Sequence, residues 1–113
     1  MSLGSMQEEF TIAMARLIVF AYEELGIKIR FGDTYRDSRV HGAFGEKLGY
    51  GAAYSVHKQK LAADLNVFIG GDYITDGNHS VWDKLHGRWL LLGGAKRIDG
   101  DANHFSFEYQ GYR

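Results

Sequence analysis

From Gln7 to Leu25 the apolar residues Phe10, Met14, Leu17, Ile18, Ala21 and Leu25 recur at three- and four-residue steps. That period gathers them into one stripe of a helix. Glu8 and Glu9 suit a first turn, where carboxylates meet the positive end of the helix dipole, and Gly26 suits a C-terminal stop. Ile27 to Phe31 then alternates apolar residues with Lys28 and Arg30, which predicts a half-buried strand running into Gly32-Asp33-Thr34-Tyr35-Arg36. Periodicity fades between Asp37 and Tyr54, where Gly42, Gly45, Gly49 and Gly51 accumulate, and the segment reads as a site loop. Leu61 to Ile69 alternates again, with Leu65, Val67 and Ile69 on one face and Asp64, Asn66 and Phe68 on the other. Gly70-Gly71-Asp72 predicts a turn into a short partner strand at Tyr73-Ile74. Ser80 to Leu92 suits a short helix around Val81, Trp82 and Leu85, broken at Gly87. In His104 to Tyr109 a last strand sets Phe105, Phe107 and Tyr109 against His104, Ser106 and Glu108. The expected fold class is α+β: an N-terminal helix, a small antiparallel sheet and long loops.

Composition narrows the class. The chain has 113 residues, no cysteine and no proline. Met1 to Ser5 reads as an expression leader before a second start at Met6, which leaves 6–113 as a single domain. A disulfide framework is excluded, and no apolar run approaches the roughly 20 residues of a membrane span. With 13 basic and 14 acidic residues the formal charge is −1. A general binder of nucleic acid or anionic membrane relies on excess Lys and Arg, so neither partner is expected.

Two features stand out: His57 followed by Asp64, and Asp101-Ala102-Asn103-His104. Asp64 and His104 each fall on the polar side of a strand, and if those strands are neighbours both side chains project from one face. His57, at the end of the glycine-rich loop, can close a third corner. Two imidazoles and a carboxylate match the ligand set of a catalytic zinc site with an open fourth position. Other first-row ions accept the same ligands. Asp101, three residues before His104, suits a general base near the metal, with Asp99 as its competitor. His41, His79 and His86 have no such context and read as surface or loop histidines, His79 beside a helix start. Trp82, Trp89, Phe105, Phe107 and Tyr109 allow a sugar-stacking platform, but aromatic residues at this spacing in a small domain more often form core.

The stretch from Ser55-Val56-His57 through Leu61-Ala62-Ala63-Asp64-Leu65-Asn66-Val67-Phe68 resembles the Ser-x-His…Ala-x-Asp signature of the zinc D,D-carboxypeptidase and L-alanyl-D-glutamate endopeptidase family, above all its phage endolysin branch. Gly32-Asp33-x-Tyr35-Arg36, Trp82, Trp89, Gly93-Gly94 and Asp101-x-x-His104-Phe105 are similar to that branch in order and approximate spacing, so the likeness runs from about Phe10 to Tyr109. Lys60 stands where many members carry glycine, as suits the phage branch, and Asp101 where many carry glutamate. A carboxylate one methylene shorter serves as base only where the backbone brings it nearer the water.

The resemblance implies the fold of D,D-peptidases and Hedgehog-type domains, with His57, Asp64 and His104 as zinc ligands and Asp101 as base. It also implies that Arg36 binds a substrate carboxylate or polarised carbonyl and that Ser55 hydrogen-bonds near the site. The implied activity is cell wall degradation by cleavage of the peptidoglycan stem peptide. The rivals are a D-alanyl-D-alanine carboxypeptidase and a non-catalytic peptidoglycan-binding module. With no signal segment, the expected location is the bacterial cytoplasm until release to the cell wall.

Overall fold

The computed structural model describes all 113 residues and has the expected α+β architecture. Helix α1 (Leu3–Glu23) buries Phe10, Ala13, Met14, Leu17 and Ala21. It begins inside the segment set aside as a leader. Ser2 caps it by accepting from the Ser5 amide, and Leu3 and Met6 pack against the core. Glu8 and Glu9 therefore lie beyond the first turn, which holds no acidic residue. No helix is long and apolar enough to cross a membrane.

Strand β1 (Lys28–Phe31) pairs antiparallel with β2 (Ala62–Ile69), Phe31 opposite Leu65 and Lys28 opposite Phe68. β2 buries Leu65 and Val67 toward the helices and turns Asp64 and Asn66 the other way, as its alternation requires. A two-residue turn at Gly70-Gly71, with φ of 57° and 88°, leads to β3 (Asp72–Tyr73). Asp72 pairs with Ile69 and Tyr73 with Phe68, one residue earlier than the expected Tyr73-Ile74 strand. Two successive left-handed residues make the turn whose twist matches the strands, so Asp72 joins the ladder rather than the turn.

Helix α3 (Ser80–Leu91) runs through Gly87. Gly87 is exposed on the solvent side, while Val81, Trp82, Leu85, His86 and Trp89 form a buried stripe. Packing of that stripe outweighs the roughly 1 kcal/mol that glycine costs a helix. His79 is the N-cap itself, its Nδ1 accepting from the Val81 amide at 3.0 Å. Strand β4 is only His104–Ser106, pairing with the N-terminal half of β2. The Phe107 amide still reaches the Leu61 carbonyl, but the chain then turns into a Tyr109–Tyr112 bridge, which ends the strand before Glu108. Backbone bonds of residue 64 run to Gly32 and Asp33, and those of Leu65 and Val67 to Asn103 and Ile74. β1 thus occupies one edge of β2, and β4 and β3 share the other.

The core joins α1, α3 and the inner sheet face. Trp82, Trp89 and Phe105 are buried within it, and Phe107 and Tyr109 pack against it. These rings form core and not a sugar platform. At Gly94 an added Cβ would lie within the Trp89 ring, so only glycine lets the chain pass while the Trp89 indole donates to the Ser106 carbonyl at 2.9 Å.

Candidate metal centre

Antiparallel register sets Asp64 of β2 directly opposite His104 of β4. Facing residues of such a pair point to the same side, so the ladder itself brings carboxylate and imidazole together. His57 arrives from a short 3-10 turn, Val56–Gln59, whose N-cap Ser55 accepts from the His57 amide. The turn ends at Lys60, whose backbone is left-handed with φ 58° and ψ 35°. Glycine adopts that conformation at least cost.

Asp64 Oδ1 lies 3.2 Å from His57 Nε2 and 3.5 Å from His104 Nδ1. Two ligands each about 2.05 Å from a tetrahedral zinc stand about 3.4 Å apart. The three residues could hold a metal ion, their ligand atoms all within 4.8 Å of one another. The second nitrogen of His57 strengthens that reading. Its Nδ1 is 2.7 Å from the Thr34 carbonyl, which can only accept, so Nδ1 carries the proton. In the neutral ring the Nε2 lone pair then faces a carboxylate oxygen, and two acceptors at that distance need a cation between them. A proton can serve one such pair, whereas a metal ion serves all three ligands together. Four buried side-chain polar atoms lack a hydrogen-bond partner; two of them, His57 Nε2 and Asp64 Oδ1, are converging ligand atoms, and a third, His104 Nε2, is the other nitrogen of the His104 ring. Burial opposes ionisation of Asp64, but whenever His104 or His57 carries a second ring proton its hydrogen bond and charge outweigh burial and hold the carboxyl below the usual range.

Asp101 stands at the rim, half exposed, with Oδ2 3.9 Å from His104 Nδ1. Asp99 lines the neighbouring cleft but pairs with neither histidine. That cleft, about 840 Å³, does not contain the three ligands; Asn66, Asn103, Arg97 and Asp101 line it, Asn66 two residues from Asp64 and Asn103 next to His104. Arg36 lies on the opposite flank. Its Nε donates to Asp33 at 3.3 Å and its Nη1 to the Ser55 hydroxyl at 3.0 Å, which leaves Nη2 without a protein partner. The ion pair with Asp33 and a free guanidinium end therefore coexist.

The segment from Asp37 to Tyr54 is not all loop. It opens with a short helix, α2 (Ser38–His41), capped by Asp37. His41 is buried, contrary to its expected surface place, and its Nδ1 accepts from the Gly51 amide at 3.2 Å. His86 is also buried. Lys58, singled out by no pattern, is buried too, and its ammonium donates to the Ala43, Glu46 and Ala53 carbonyls at 3.3, 2.5 and 3.2 Å. Its position beside His57 was the one available hint.

Neither a known family model nor a curated protein sequence matches this chain. The chemistry of the site rests on its own geometry.

Proposed function

We propose that the chain is a zinc-dependent peptidase acting on the stem peptide of bacterial peptidoglycan, of the endolysin type that cuts between L-alanine and the following D-glutamate. The observation that carries the reading is the convergence of His57 Nε2, Asp64 Oδ1 and His104 Nδ1 with a free carboxylate, Asp101, at the rim. The resemblance of the Ser55–Phe68 and Asp101–His104 motifs to zinc peptidases of the cell wall supports the choice of substrate. A zinc ion on these ligands supplies Lewis acidity toward a water and the scissile carbonyl.

The remaining steps belong to the side chains. Asp101 takes the proton of the attacking water and delivers it to the departing amine. Its exposure at the cleft gives it access to both. Arg36, anchored through Nε and Nη1, offers the free side of its guanidinium to a substrate carboxylate. Thr34 keeps His57 in the tautomer that directs Nε2 toward Asp64.

Digestion of purified muropeptides with and without chelator, read by mass spectrometry, tests the proposal. Chelator-sensitive release of whole stem peptides is expected. Loss of one terminal alanine instead identifies a D,D-carboxypeptidase, and wall binding without hydrolysis at any zinc level identifies a non-catalytic module.

A further inference from the structure

The fourth buried polar atom without a partner is His86 Nδ1, on α3. The His86 ring is 5% exposed and stacks on Phe105 at 4.1 Å and 10°. Its Nε2 lies 2.7 Å from the Ala102 carbonyl, which no other hydrogen bond reaches. A carbonyl only accepts, so Nε2 carries the proton, and burial, which pushes the imidazole pKa down, favours the neutral ring.

A phenylalanine or leucine would pack on Phe105 without burying an unpaired ring nitrogen, which is a cost, but would leave the Ala102 carbonyl without a donor. What the imidazole adds is donation to Ala102. That residue lies between Asp101 and His104, in a turn closed by the His104 amide on the Asp101 carbonyl. On the sheet side, Asn103 Nδ2 donates to Asn66 Oδ1 at 3.3 Å. The turn is thus clamped between β2 and α3.

We propose that His86 is a positioning residue: through its bond to the Ala102 carbonyl it fixes the Asp101–His104 turn, and with it the third metal ligand and the carboxylate at the rim. The proposal rests on reading His104 as a ligand but not on the reaction the site performs. Outer-shell partners of this kind commonly matter by about 10- to 100-fold in metal affinity or activity.

His86→Gln and His86→Met test it, because they match in size and both lose the ring, while only glutamine can donate to Ala102. Zinc affinity is measured by competition with a chelating dye, without substrate. His86→Met is expected to bind zinc about tenfold more weakly than His86→Gln, with the same ratio in kcat on muropeptides and KM unchanged. Equal zinc affinities in the two variants overturn the proposal. Because affinity needs no turnover, a protein that binds zinc but leaves muropeptides intact sinks the peptidase reading and not this one. In the wild-type protein, imidazole ¹⁵N shifts are expected to show a neutral ring protonated at Nε2, and a ring protonated at Nδ1 overturns the proposal without any variant.

Discussion

The two flanks of the candidate centre are held by different means. On the sheet flank, Asp64 and His104 face each other across paired strands, and the backbone of residue 64 is bonded to Gly32 and Asp33 on its other edge. On the loop flank, residues 42–54 have a few turn bonds, such as the Gly45 amide on the Ala53 carbonyl and the Leu48 amide on the His41 carbonyl, and are otherwise tied down by side chains. Lys58 binds three carbonyls, His41 accepts from Gly51, and the Tyr50 hydroxyl reaches Asp33 at 2.6 Å. Phe44, Tyr54, Tyr109 and Tyr112 add a small aromatic cluster. A ladder distributes its constraint over many bonds, whereas the loop depends on a few. The metal ligands should therefore survive damage to the loop, and the loop should not survive loss of single side chains.

The sharpest way to break the sheet flank is Asp64→Asn. Zinc affinity, by chelator competition, is expected to fall at least about hundredfold, with hydrolysis lost and the far-ultraviolet spectrum unchanged. The same variant has a pH signature in the metal-free protein. The folded Asp64 carboxyl is held below its unfolded value, near 3.9, so the unfolded chain binds more protons in that interval. Its contribution to stability is present above the unfolded value and lost as pH falls through the folded one. Acid titration of stability should be shallower below about pH 4 in Asp64→Asn.

Next in size is Gly94→Ala. Its added Cβ meets the Trp89 ring at 2.1 Å, and overpacking of that kind costs about 1–3 kcal/mol. Thermal melting reads the loss. Lys58→Met tests the loop flank: three carbonyls lose their donor, and proteolysis within 43–53 should quicken about tenfold, the equivalent of about 1.4 kcal/mol in local opening. Zinc affinity should stay within about twofold of wild type, and a parallel collapse of metal binding would show that the two flanks are one unit. The smallest effect belongs to Tyr50→Phe. Tyr50 is the leading cause of the lowered Asp33 pKa, so that carboxyl should titrate nearer its usual value. KM should rise only about threefold through loosening of Arg36.

Much of the sheet flank was legible beforehand. The alternation in Leu61–Ile69 sets which side Asp64 takes, and that in His104–Tyr109 does so for His104, so their meeting needs only the two strands to be neighbours. His86 was also within reach: it follows Trp82 by four residues and Leu85 by one, which places it on the buried stripe of α3. Gly87 reads as a break in the sequence, yet a glycine on the exposed face costs a helix too little to end it. The loop flank was not legible in the same way. Lysine is an exposed residue by habit, and nothing local announces that three carbonyls some 5 to 15 positions upstream will enclose the Lys58 ammonium. Arg36 came only through the resemblance, since its partners Asp33 and Ser55 come together only when the chain after β1 passes beside the 56–59 turn.

Lys60 carries a consequence for sequence drift. Its left-handed backbone costs a side-chain-bearing residue about 1–2 kcal/mol, while glycine there would forfeit about 0.5–1 kcal/mol of unfolded-chain entropy. The two partly cancel, so the backbone prefers glycine to lysine by only about 1 kcal/mol or less. The Lys60 ammonium sits 5.1 Å from the centre of the Tyr35 ring, beside an apolar groove that Phe31, Met14 and Ala63 also line. A positive charge can thus be gained or lost at the edge of that groove by substitution alone, without remaking the turn that presents His57.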